Sequence, residues 1–105
     1  MAESALGPSR SGSVVLELGP GLGALVLHTP PELDGCEIEI SPHASPHAHR
    51  THSQVRPRHT ANGTQHAAVY PGLAAGDYTV WRDSAVPALT ATITGSQVTT
   101  AWWPG

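Results

Sequence analysis

Of the ten prolines, those at positions 30, 31, 42, 46, 57, 71, 87 and 104 punctuate the candidate helical stretches with a residue that lacks an N–H and clashes with the preceding turn. No stretch carries apolar residues at i, i+3, i+4 and i+7 over a helix length. What recurs instead is a short β-branched or alternating run bounded by Gly, Pro, Asn or Asp. Such runs at close, regular intervals build sandwiches and barrels. The expected fold class is all-β, a two-sheet antiparallel sandwich of about seven to eight short strands.

The expected strands are Ser13–Leu18, Ala24–Thr29, Cys36–Ser41, Thr51–Arg56, Gln65–Tyr70, Asp77–Arg82, Ala88–Thr94 and Gln97–Trp102. The first two flank Gly19-Pro20-Gly21-Leu22-Gly23 and read as strands joined by a tight connection. A phosphate cradle would need that glycine run to open a helix, and here a strand follows. In Cys36–Ser41, Ile38 and Ile40 fall on one face and Glu37 and Glu39 on the other, where they can pair with Arg50, Arg56 or Arg58. Val55 is the expected core residue of its strand. Asn62-Gly63 reads as a turn into Gln65–Tyr70, with Ala67 and Val69 pointing inward, and Gly95-Ser96 as a two-residue hairpin link between the last two strands. Residues 1–12 read as a flexible N-terminal segment and 13–105 as one sandwich domain with a His-rich loop at 41–52.

Charge narrows the partners. Eight acidic groups against five arginines give a net charge of −3, which offers no footprint for a nucleic-acid backbone. Met1 to Ser13 is polar and turn-forming rather than a basic start followed by an apolar run, so a secretory signal is not expected and the cytoplasm is the expected location. No stretch approaches the roughly 20 apolar residues of a membrane span. Cys36, the one cysteine, excludes an internal disulfide and a thiolate-rich zinc cluster; it reads as a small half-buried residue at a strand start.

The segment Tyr70-Pro71-Gly72-Leu73-Ala74-Ala75-Gly76-Asp77-Tyr78-Thr79-Val80 resembles the L-x-x-G-x-Y-x-V stretch of prealbumin-like sandwich modules, the group of carboxypeptidase regulatory-like and collagen-adhesin B-type repeats. Physically, Leu73 would plug the end of the core, Gly76 would bend at positive φ, and Tyr78 and Val80 would re-enter the sheet on one face. The resemblance covers 70–80 alone, and these modules more often have proline where Ala75 stands. The layout Val26-Leu27-His28-Thr29-Pro30-Pro31-Glu32-Leu33 ahead of Glu37–Ser41 also resembles small uncharacterised proteins of GC-rich actinobacteria.

Four of the seven histidines, His43, His47, His49 and His52, lie within ten positions. Imidazole ligates zinc, nickel and copper, and a His-x-His pair projects both rings to one side of an extended segment. His66 would complete the set if the turn at Asn62-Gly63 carried it across to His52. The tandem Ser-Pro-His-Ala at 41–44 and 45–48 reads equally well as a duplication in a loop that tolerates insertion. His28, ending an apolar strand, reads as a structural histidine. Consecutive Trp102 and Trp103 must face opposite ways on a strand, which puts one in the core and leaves the other to cover the sheet end or meet a partner. No nucleophile elbow or positioned Ser/His/Asp set is present. The first functional expectation is therefore a non-enzymatic interaction or accessory module that binds a protein partner or forms a homo-oligomer through Trp102 and Trp103. The second is a Zn, Ni or Cu protein using His43, His47, His49, His52 and His66. A small hydrolase or isomerase built on exposed His and Glu comes last.

Overall fold

The computed structural model describes residues 20–45 and 48–104. These form β1 (Leu22–Thr29), a 3-10 turn (Pro31–Leu33), β2 (Glu37–Pro42), β3 (Thr51–Gln54), β4 (Arg56–Thr60), β5 (Gly63–Ala74), β6 (Gly76–Trp81), β7 (Pro87–Ile93) and β8 (Val98–Trp102). The first sheet has the order β4-β5-β1-β8 and the second β3-β2-β6-β7. The protein is an all-β sandwich, but not a wholly antiparallel one: β8 runs parallel to β1, while every other pair is antiparallel.

The parallel pair follows from how the chain leaves β7. Gly95-Ser96 does not close a hairpin, because β7 pairs with β6 in one sheet and β8 with β1 in the other. The link crosses between sheets in a tight turn, with Ser96 at φ 62° and its N–H donating to the Leu22 carbonyl at 2.7 Å. Main chains come so close here that a Cβ on Gly23 would meet the Thr94 carbonyl oxygen and, at 2.7 Å, the Ile93 Cγ2. A Cβ on Gly95 would lie 3.2 Å from the Cα of Gly21. The described glycines of the 19–23 run thus serve a strand crossing. The expected strand Ser13–Leu18 lies outside the described residues, and β5 and β8 take up both edges of β1.

A second crossing closes the opposite flank. The expected strand Thr51–Arg56 is broken at Val55, where one extended run switches from β2 in the second sheet to β5 in the first. Val55 is fully buried, donates its N–H to the Cys36 carbonyl at 2.8 Å and accepts from the Gly35 N–H at 2.9 Å. After this corner comes β4, Arg-Pro-Arg-His-Thr, every residue of which is exposed.

The core lies between the sheets. Leu25, Leu27, Ala68 and Tyr70 from the first sheet meet Ile38, Ile40, Val80, Ala91 and Ile93 from the second, with Val55 and Leu73 completing the cluster. Ala68 and Tyr70 stand opposite Leu27 and Leu25, so the inward face of β5 is the alternate of the expected Ala67 and Val69. Polarity could not show this, since both faces of that stretch are apolar; the large ring of Tyr70 takes the inner side. Its hydroxyl donates to the Ile38 carbonyl at 2.8 Å, a buried hydrogen bond between the sheets. Among the described residues, no helix is long and apolar enough to cross a membrane.

Candidate functional site

Alternation along β2, β3 and β6 turns Glu37, Glu39, Ser41, His52, Thr79 and Trp81 to the outer face of the second sheet. Because β2 extends through Pro42, the intervening loop is 43–50 rather than 41–52. Arg50 is its anchor. The guanidinium donates to Glu39 Oε1 and to the Ser84 carbonyl, each at 2.9 Å, and lies 3.8 Å from the centroid of the Trp81 ring. Trp81 in turn donates its indole N–H to Ser41 Oγ at 2.9 Å. A planar fork stacked on indole fits this arrangement as an ammonium would not. Nearby, the Asp83 carboxyl accepts from the N–H groups of Ala85 and Val86 at 2.8 and 2.9 Å; these bonds, with smaller help from Arg82 and Arg50, hold it below the usual carboxylate range.

The described members of the expected ligand set, His43, His49, His52 and His66, fall on several different elements. His43 begins the loop, its N–H donating to the Asp77 carbonyl at 2.8 Å and its Nδ1 sharing a 2.9 Å hydrogen bond with Thr79 Oγ1. His52 Nδ1 lies 3.1 Å from Glu37 Oε1, an exposed pair of little energetic weight. His49 is exposed, and His47 lies outside the described residues. His66 sits on β5, opposite Thr29 and Pro57, in the other sheet from His52. The Asn62-Gly63 turn does join β4 to β5, but the corner at Val55 has already moved the chain to the first sheet, so it cannot bring His66 to His52. Among the described residues, no three His, Cys, Asp or Glu side chains are grouped to hold a metal ion. Cys36 is exposed rather than half-buried.

Of the expected contact residues, Trp102 and Trp103 do face opposite ways. Trp103 packs against the core, donates its N–H to the His28 carbonyl at 2.8 Å and carries the Arg82 guanidinium 5.2 Å from its ring centroid. Trp102 is 67% exposed and stacks on the His28 ring, with centroids 5.6 Å apart and planes inclined by 24°. Beside this stack lies an open cleft lined by Thr29, Thr64, Gln65 and His66. The arrangement sets a broad exposed ring beside a cluster of hydrogen-bonding groups. Sequence reasoning missed the Arg50–Trp81–Ser41 cluster, whose members stand far apart in the chain and meet only through the pairing of β2 with β6. Comparison with family models, curated proteins and solved structures finds no match to this chain.

Proposed function

We propose that the chain is a non-enzymatic interaction module, a sandwich of the prealbumin-like kind whose contact surface centres on Trp102. The observation that carries this reading is the indole itself, 67% exposed and stacked on the His28 ring. A large aromatic side chain that is already ordered loses little rotamer entropy on binding, and such rings dominate interface energies. Trp103 supports the same end of the sandwich from the core side. The likeness to prealbumin-like modules is supported by Leu73 in the core, Gly76 at φ 142°, Val80 fully buried and Tyr78 packed against the cluster.

The test is affinity capture with the full chain and with Trp102→Ala as baits from the source cells, checked for equal folding by circular dichroism. The reading expects a protein retained by the wild type and lost with the variant. Identical capture by both would remove Trp102 from the contact surface.

A further inference from the structure

The outer strands of the sandwich differ in how well they are guarded against pairing. On one flank, β4 presents exposed Arg56, Pro57 and Arg58, the charges and proline that blunt an edge, and Val55 ties it to β3. On the other flank, β7 begins at Pro87, pairs irregularly around Trp81, and gives its Thr92 carbonyl to the Thr99 hydroxyl at 2.8 Å. β8 has neither charge nor proline nor irregular pairing to guard it, and its Thr99 hydroxyl bond to β7 comes from the inward-facing side of the strand. Val98-Thr99-Thr100-Ala101-Trp102 contains no charge and no proline, and it keeps unbroken register with β1. Among the described residues, no strand lies on its other side.

We propose that β8 pairs antiparallel with β8 of a second copy, about a two-fold axis at Thr100, so that two four-stranded sheets become one of eight. The proposal rests on Trp102 as contact surface and names what it contacts. Val98, Thr100 and Trp102 stand opposite Ala24, Val26 and His28 of β1 and so share one face of the sheet. With the axis at Thr100, Val98 of each copy faces the partner's Trp102, and Thr100 faces the partner's Thr100. Those are an aromatic–β-branched pair, made twice, and a Thr–Thr pair, all favourable across antiparallel strands. The five residues are thus complementary to themselves, which points to a second copy rather than to a peptide of unrelated sequence. A single strand edge and two indoles form a small contact, so the dimer is weak and concentration-dependent.

Sedimentation equilibrium of the full chain from low micromolar to millimolar should show a monomer–dimer equilibrium. Thr100 is exposed, so Thr100→Lys and Thr100→Asp should fold normally by circular dichroism. Each variant alone places like charges opposite one another and should weaken dimerisation by about tenfold or more, whereas an equimolar mixture of the two should associate again. A wild type that stays monomeric up to millimolar, a variant that dimerises as the wild type does, or a mixture that stays monomeric overturns the proposal. An edge covered by another segment of the same chain would give the first of these results. A monomeric chain that still captures a different protein through Trp102 would overturn the homotypic pairing and leave the interaction module standing.

Discussion

Replacing Tyr70 by Phe removes one oxygen from between the two sheets and leaves the ring in place. The phenol is 1% exposed, and its hydroxyl donates to the Ile38 carbonyl at 2.8 Å. Losing such a bond costs about 1 kcal/mol net, and more where the abandoned carbonyl stays dry, so the loss expected at neutral pH is about 1–2 kcal/mol. In a domain of this size each kcal/mol lowers Tm by about 4–8 °C. The pH dependence makes the prediction sharper. Burial pushes the Tyr70 phenol up from its ordinary value, so the unfolded chain ionises this group before the folded protein does. The raised folded pKa means that its stability is fully present below about pH 10 and falls above it, by about 1.4 kcal/mol per pH unit. Tyr70→Phe has no such group to lose. Tyr78, the other tyrosine, is also pushed up by burial, but it is common to both proteins and cancels in their difference. The wild-type advantage should therefore hold from neutrality to about pH 10 and vanish about one unit higher. Urea denaturation followed by tryptophan fluorescence across this range measures it. A gap that persists unchanged to about pH 11, or a Phe variant as stable as the wild type at about pH 7, would refute the reading of Tyr70 as a buried hydrogen-bonded tie.

Gly23→Ala should lose about 2–3 kcal/mol in a thermal melt, because its new methyl meets a main-chain oxygen and Ile93 with no flexible chain end to yield. A loss below about 0.5 kcal/mol would contradict the tight crossing. Arg50→Lys keeps the charge but cannot span Glu39 and the Ser84 carbonyl while stacked on Trp81; the expected cost is about 1 kcal/mol or less, with a changed indole N–H resonance for Trp81. An unmoved resonance would show that Arg50 does not hold that ring. Chelation by the His43–His52 loop expects the tag-free chain to bind Zn, Ni or Cu stoichiometrically, more weakly in acid, where protons compete for the imidazoles, and not at all after His47→Ala with His49→Ala. Calorimetry showing no binding tighter than about 100 μM would end that reading.

Strand β2 was legible in the sequence because its faces differ in kind, Ile38 and Ile40 against Glu37 and Glu39. Strand β4 was not, since Arg56–Thr60 is exposed throughout and an edge strand wet on both sides has no hydrophobic period to detect. Ala67-Ala68-Val69-Tyr70 hid its facing for the opposite reason, apolar residues on both faces. The two sheet-switching links escaped because local turn chemistry reads alike whether the next strand returns beside the last or crosses the core. That one ambiguity accounts both for the Gly95-Ser96 hairpin and for the meeting of His66 with His52. Of the candidate site, alternation said that one of Trp102 and Trp103 would be exposed, and the structure shows that it is Trp102. The stack on His28 needed the parallel pairing of β1 with β8, which no local pattern announces.

That parallel pairing has a consequence for how the molecule comes into being. β1 is among the earliest described segments to be synthesised, yet Ala24 finds its partner only at Val98 and His28 at Trp102. The first sheet cannot be completed until β8 has emerged, and closing so long a loop costs entropy before any contact repays it. Folding should accordingly be slow for the size of the domain, in milliseconds to seconds as for other non-local β topologies, and the crossings at both flanks bind the sheets into one cooperative unit. Until β8 is made, one edge of β1 stands open beside apolar Leu25 and Leu27, so that stage of synthesis is the one most exposed to aggregation.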